Sequence, residues 1–511
     1  RDKSTLDMID FKISNNELFN LPAGPVGILI GLERRKETYT DDRDKYLDGT
    51  ITNQDCCGVT SATRSHPFTS GVLGSSPTID VYGVKRVSST FLEMVVPITQ
   101  KLDAQIALRS EDFSDTESTT VSRIALGYVV NDIVKMRASV STAFRSPNIL
   151  QINQPYVTRT GTRNDAVQEY RIFRNNNDVR PVSGSGFNSD YTISNTLHYR
   201  LGNPNLLPEE SDNATFGIVI TPNDALTITI DKWSIEKDNT IGLFGRNNSS
   251  VYDLLLRLQK GIGGATTVSE MLAFCQGTNV LNNQFDKYAI DGSYVLRDSN
   301  PSSSYNEQFL TAGICPAGQQ DTIYEPYSNL ALRTVEGTDL AIYYDFETSF
   351  GEFNITFQSS ITDKFEQEPS AQFQAISAAV ADGTLPAYTT LEGYGDLLNN
   401  ENTGTDQKDT LKVNFRNGDW GASLTALRLG ELLDNGVKSD DGQVYVIPSM
   451  TTANVSVYKK FTLRGNDARV RLMIRNVADE RAPLADGWFG FYSDIHRDDG
   501  RHFYLDLKMD F

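Results

Sequence analysis

The side chains able to do covalent chemistry are few and poorly spaced for it. Four histidines, His66, His198, His496 and His502, share no metal-ligand spacing, and neither GxSxG nor HExxH occurs. These absences predict no catalytic residues, no metal centre and no cofactor, so the expectation is a protein that is not an enzyme. The run DDRDKYLDG, Asp41 to Gly49, sets carboxylates ahead of a glycine but lacks the closing Glu and full spacing of a Ca²⁺ loop. It reads as a solvated acidic loop. Cys56, Cys57, Cys275 and Cys315 fit neither a zinc ribbon nor a redox CxxC. Cys275 and Cys315 lie in one polar Gly/Asn/Ser-rich region and are the candidate disulfide, with unpaired thiols as the alternative. A bridge between the adjacent Cys56 and Cys57 would be strained.

Recognition chemistry is better represented. Residues 145–212 hold Arg145, Arg159, Arg163, Arg171, Arg174 and Arg180, with Tyr156, Tyr170, Phe173 and Tyr191 among them. Guanidinium groups offer bidentate hydrogen bonds to carboxylates and phosphates. Tyrosines offer flat amphipathic faces to sugars or catecholates. Arg145, Tyr156, Arg159, Arg163, Arg171, Arg174 and Tyr191 are therefore the candidate ligand contacts. The competing assignment pairs these arginines with neighbouring acids or with lipid phosphates.

The elements that must carry this loop alternate with period two. Val26, Ile28, Ile30 and Leu32 alternate with Gly27, Gly31 and Glu33; Phe353, Ile355 and Phe357 with Asn354, Thr356 and Gln358; Val470, Leu472 and Ile474 with Arg469, Arg471 and Arg475. In LTITIDKWSIE, Leu226 to Glu236, the apolar parity switches after Ile230, which predicts a bulge or an interface aromatic at Trp233. With one modest exception near 111–119, short connections (131–132, 222–224, 349–352, 417–419, 464–467) alternate with long ones (41–82, 145–212, 241–337, 365–407, 430–450, 478–500). Val251–Gln259 and Gln372–Gly383 read as helices inside two of the long loops. A soluble sandwich has no reason to sort its loops by end, whereas a transmembrane barrel does. Mean hydropathy is −0.36, but a barrel's apolar face sits on alternate residues and does not raise the average. The net charge of −19 argues against a nucleic-acid partner.

The fold class expected is all-β: a transmembrane antiparallel β-barrel of about 15 strands, with short periplasmic turns and long extracellular loops. An odd set leaves an edge, and unpaired backbone in lipid costs several kcal/mol per group. The closing RHFYLDLKMDF puts Phe503, Leu505, Leu507, Met509 and Phe511 on one face and Asp506, Lys508 and Asp510 on the other. A one-residue slip would turn those charges to lipid.

That terminal pattern resembles the outer-membrane insertion signal of bacterial barrels. RASVSTAFRSPNI (Arg137 to Ile149), GNPNLLPEESDNATFGIVI (Gly202 to Ile220), LTITIDKWSIEKDNTIG (Leu226 to Gly242), LPAGPVGILIGLERRKE (Leu21 to Glu37) and RLMIRNVADERAP (Arg471 to Pro483) resemble the TonB-dependent outer-membrane receptors. The resemblance implies a barrel of about 22 strands with a plugged lumen. Residues 1–511 correspond to the C-terminal portion of such a barrel, with no counterpart of the plug or of the first strands. The implied partners are an N-terminal plug and the remaining strands, in the same polypeptide or a second chain; the TonB–ExbB–ExbD complex; the barrel-assembly machinery; outer-membrane lipid and lipopolysaccharide; and a small-molecule or oligomeric ligand. The implied location is the outer membrane of a Gram-negative bacterium. The implied function is TonB-energised import of a scarce solute of the ferric-siderophore or oligosaccharide class; a passive porin or binding-only receptor is the alternative. Arg469, Arg471 and Arg475, on the inner wall, are the expected plug contacts.

Overall fold

The computed structural model describes residues 2–48, 78–155, 157–180, 191–277, 293–297, 302–389, 391–400, 403–438, 443–487 and 489–509. Fifteen strands follow one another in a single antiparallel path. They are β1 (Asp2–Leu21), β2 (Gly24–Asp41), β3 (Val81–Thr99), β4 (Leu102–Phe113), β5 (Thr119–Val129), β6 (Val134–Arg145), β7 (Glu209–Asn223), β8 (Leu226–Asp238), β9 (Arg333–Thr348), β10 (Gly351–Gln367), β11 (Gln407–Asn417), β12 (Trp420–Leu429), β13 (Met450–Leu463), β14 (Asn466–Arg475) and β15 (His502–Met509). The expected strand count and loop sorting both hold. Among the described residues β1 pairs only with β2 and β15 only with β14, so the sheet has two free edges.

Register separates the faces. Ile474, Leu472 and Val470 stand opposite Phe503, Leu505 and Leu507, an apolar outer face. Arg471 stands opposite Asp506 on the inner one. Met509 pairs with Ala468; Phe511 lies outside the described residues. At the short-turn end Tyr344, Phe346, Phe353 and Phe415 form an outer aromatic row with successive ring centroids 4.6, 5.1 and 5.0 Å apart. Lys459 Nζ lies 4.9 Å over the Trp420 ring in the same zone. Aromatics with a snorkelling lysine mark a membrane interface.

The bulge expected at Trp233 is absent. Strand β8 keeps unbroken register with β9 from Leu226 to Lys237. The irregularity lies two strands along, where β10 carries Asp363 as an extra residue between Thr362 and Lys364. The parity switch has another cause: above Ile230 the outer face turns polar, with Lys232 paired to Asp363 at 2.7 Å. Trp233 turns inward over Gly337, directly opposite. A Cβ at Gly337 would meet the indole at 2.3 Å. Phe91 over Gly31 and Tyr458 over Gly421 repeat this inner-face arrangement. A large ring beside a glycine lies flat on the wall and restores the packing that the glycine lacks.

Three of the long loops fold together into a cap. The first carries α1 (Ile149–Asn153) and α2 (Ala166–Asn175). The second carries α3 (Arg246–Lys260), α4 (Val268–Gly277) and α5 (Asn306–Ala312), and the third α6 (Ala371–Ala381). Both helices expected from sequence are present. Val167 and Tyr170, Leu254, Leu255, Met271 and Phe309, and Ile376 and Leu385 share one apolar core across the three loops. Cys275 and Cys315 are disulfide-bonded within it. Cys56 and Cys57 lie outside the described residues.

Candidate ligand site

A four-stranded sheet in the cap runs Val295–Arg297, Gln320–Pro326, Thr192–Leu201, Val157–Asn164. Its alternation gathers cations. His198 and Arg200, two residues apart, share one face; Arg159 stands opposite His198, and Glu325 beside Arg200. Arg246, the first residue of α3, brings Nη1 to 3.5 Å from His198 Nδ1 and Nε to 3.8 Å from Glu325. His198 is buried, and neither its Nε2 nor Arg200 Nε has a partner among the described residues. Burial, then Arg246, Arg163, Arg159 and Arg200, hold the imidazole down to about 4, so it is neutral at neutral pH. Burial pushes the Glu325 carboxyl up against the pull of Arg246, Arg200 and Arg163. Burial and then Arg246 lower Arg163, against Glu325 and Glu392. Among the described residues Glu325 is the one carboxylate in an ion pair with this group of guanidiniums, so an anion could supply the counter-charge they lack.

Beside this face a cavity of about 300 Å³ opens where the three loops meet. Arg163, Asn164, Glu169 and Arg180 line it from the first loop, Asn247 and Val251 from the second, Pro386 and Tyr388 from the third. Arg180 pairs with Glu169 at 3.2 Å and lies 4.8 Å over the Tyr388 ring. Burial pushes the Tyr388 phenol up, so it stays a neutral donor.

The sequence candidates disperse. Arg159 and Arg163 join the cluster. Arg145 pairs with Glu209 at the barrel rim, where Lys237 reaches the same carboxylate at 3.2 Å. Arg171 is 2 % exposed, bonded to Gln168 and Gln308 and stacked 3.9 Å from the Tyr305 ring centroid. It braces α2 against α5. Arg174 pairs with Asp178 along its own helix end. Tyr191 is buried, and Tyr156 lies outside the described residues. The pairing of loop arginines with nearby acids thus holds for Arg145, Arg174 and Arg180. Arg200, Arg246 and His198 were not singled out from sequence; the two-residue spacing of His198 and Arg200 in a short strand was the available signal. In DDRDKYLDG, Asp41 is buried against Arg43 at 2.6 Å.

On the inner wall a cavity of about 730 Å³ is lined by Arg469, Arg471, Arg416, Glu352, Asn354, Asn414 and Tyr458 among others. Arg469 pairs with Asp506 at 3.5 Å, Arg471 donates to Ser456 Oγ at 3.1 Å, and Arg475 to the Tyr504 hydroxyl at 3.5 Å. All three therefore sit on the polar inner face.

A wall of amphipathic strands, sorted loops and a cation-bearing cap is the architecture of a membrane-barrel receptor. The sequence model described as TonB dependent receptor-like, beta-barrel, matches residues 7–477, and the chain belongs to that family. No curated protein matches the sequence. The siderophore receptor PirA from Acinetobacter baumannii superposes with a TM-score of 0.55 at 14 % identity, over 99 % of this chain and 55 % of that one. A mutant of the ferric enterobactin receptor PfeA from Pseudomonas aeruginosa gives 0.54 at 14 % identity, over 99 % and 54 %. PfeA in complex with enterobactin, again a mutant, gives 0.54 at 13 %, over the same shares. At these identities the likeness is one of fold. The chain spans about half the length of the solved structures it matches.

Proposed function

We infer that this chain is the ligand-recognising part of an outer-membrane receptor that imports an anionic solute, of the ferric-siderophore class, with energy delivered through TonB. The observation that carries the reading is the under-neutralised cluster of Arg159, Arg163, Arg200 and Arg246 around the buried, neutral His198. A neutral oligosaccharide would leave that charge uncompensated. Binding needs no covalent step: the cargo's negative charge replaces the missing counter-ion, and the cap's polar cavity holds its periphery. The two free edges call for about seven further strands to reach a barrel of about 22, because lipid satisfies no backbone hydrogen bond. A polar plug fits the inner wall of Arg416, Arg469, Arg471 and Arg475. PirA and PfeA, which share the fold, are receptors for a siderophore and for ferric enterobactin, which agrees with the cations gathered in the cap.

The test is uptake and binding by cells producing the complete receptor. Arg200→Ala with Arg246→Ala should weaken a ferric tricatecholate chelate by about tenfold or more, since each lost charge-assisted bond is worth roughly 1.5–3 kcal/mol. Uptake should vanish in cells lacking TonB. Unchanged affinity in the double variant, or tighter binding of a neutral maltodextrin than of the chelate, would overturn the reading.

A further inference from the structure

On β3 the inner-face residues Val81, Gly83, Lys85, Val87, Ser89 and Phe91 are all buried. At the long-loop end α1 lies against this stretch. A Cβ at Gly83 would meet Ile149 Cγ2 at 2.2 Å, so the glycine lets the helix rest directly on the strand. Lys85, two residues further along, has a side chain only 3 % exposed. Its Nζ donates to Ser146 Oγ and to Pro147 O, each at 2.7 Å. Asp115 Oδ1 stands 3.6 Å from the same nitrogen, too far for a hydrogen bond. The Phe113 ring centroid lies 5.0 Å away.

Ser146 and Pro147 are the link between β6 and α1. The next residue, Asn148, caps α1: its side chain accepts from the Gln151 amide at 2.8 Å, and the Gln151 side chain accepts from the Asn148 amide at 2.9 Å. The helix then holds the far limb of its loop. Gln151 O accepts from the Asn203 amide at 2.7 Å, and Gln154 O from the Gly202 amide at 2.8 Å. Asn203 Nδ2 donates to Tyr327 O at 2.9 Å. Three strands of the cap sheet are thereby anchored at one short helix. Val157–Asn164 follows it, Thr192–Leu201 runs into Gly202, and Gln320–Pro326 ends beside Tyr327. They carry Arg159 and Arg163, His198 and Arg200, and Glu325 respectively.

We propose that Lys85 is a positioning residue for cargo recognition. It fastens the start of α1 to β3, α1 fixes the base of the three strands, and the strands set where the cluster's cations stand. The inference rests on the reading of that cluster as the cargo site. A buried ammonium needs acceptors, and the two oxygens of the link supply them. Without the ammonium the buried Pro147 carbonyl loses its donor, and the link loses the contact that locates it.

The test uses the complete receptor and two readouts. Lys85→Met keeps the length of the side chain and removes its donors. Hydrogen exchange in the absence of cargo should accelerate by about tenfold at residues 148–154, as expected for a lost bond to a charged group, while α2, α3 and α6 keep their protection. The half-saturating concentration for uptake of a ferric tricatecholate chelate should rise by about tenfold, since misplaced binding groups lose most of their contribution, with the maximal rate unchanged. Lys85→Arg should restore both readouts, and Ser146→Ala added to Lys85→Met should change neither further. Lys101→Met, whose amine reaches only Val130 O at 3.1 Å at the short-turn end, should behave as the parent. Heat-modifiable gel mobility reports folding; if Lys85→Met does not fold, Ser146→Ala alone takes its place and should accelerate exchange at residues 148–154 several-fold. Unchanged exchange there, equal acceleration throughout the cap, a fall in maximal rate with no change in half-saturation, or no rescue by Lys85→Arg would each overturn the proposal. If the parent itself takes up no chelate, the transport reading fails, and the exchange readout alone decides the role of Lys85.

Discussion

Arg297 shows what a single residue does in the cap. Its guanidinium bonds Asp165 at 2.7 Å and Asp253 at 2.8 Å, and all three side chains are fully buried. Asp165 also caps α2 by accepting from the Val167 and Gln168 amides. Asp253 also holds Arg257 at 3.0 Å and the Ser293 hydroxyl at 2.7 Å. The two carboxylates hold the Arg297 guanidinium above its usual range despite burial. Removing it leaves the buried Asp165 without its ion-pair partner and Asp253 with Arg257 alone, so Arg297→Ala should destabilise the cap by about 3–5 kcal/mol, seen as early proteolysis of the long loops while the barrel stays heat-modifiable. His198 supplies the pH dependence. Its folded value, about 4, lies below the ordinary 6.5. The unfolded cap therefore binds a proton first, and stability present above about 6.5 is lost as pH falls toward 4, by up to ~3 kcal/mol. Cap unfolding followed by tryptic susceptibility should show that slope, and His198→Gln should flatten it.

At the scale of elements, the wall depends on cross-strand pairs. Trp233 over Gly337, Phe91 over Gly31 and Tyr458 over Gly421 each need a residue with no side chain opposite a ring. Gly337→Val should force the indole off its rotamer or push β8 from β9, at a cost of about 1–3 kcal/mol, measurable as a lower urea midpoint in lipid vesicles. Trp233→Ala added to Gly337→Val should recover part of that loss, because the clash goes with the ring. The short turns and the alternating faces follow from local sequence, and the strands stand where the alternation places them. The misplaced bulge is instructive: a parity switch records a change of surroundings along a strand as readily as an irregularity within it, and single-strand periodicity does not distinguish the two.

At the scale of the whole molecule, the three long loops behave as one folded unit. The core of Val167, Leu254, Phe309 and Ile376 joins segments that are far apart in sequence, and the Gln168 side chain donates to Ala317 O across 149 residues. The Cys275–Cys315 bridge spans a sequence separation of 40 and lies inside that core. Closing a loop of this length stabilises a fold by ~4 kcal/mol in the chain-entropy account. Cys275→Ser with Cys315→Ser should therefore loosen all three loops together: hydrogen exchange at α2, α3 and α6 should accelerate in concert while β1 to β15 keep their protection. Loss of protection confined to α4 and α5 would show that the loops fold separately.

By itself the sequence determined the fifteen-strand wall, the sorting of its loops, the inward direction of Arg469, Arg471 and Arg475, and the family. The first three rest on period-two alternation and on turn residues, which are local and repeat along the chain; the family rests on the resemblance of stretches such as Arg137 to Ile149 and Gly202 to Ile220. Which cations meet was decided by tertiary structure. Arg171 and Arg163 sit eight residues apart in one loop, yet one is entombed against Gln308 and the other faces Arg246. Their fates depend on where a second loop, more than 80 residues further along the chain, happens to pack, and nothing in the spacing of the arginines encodes that.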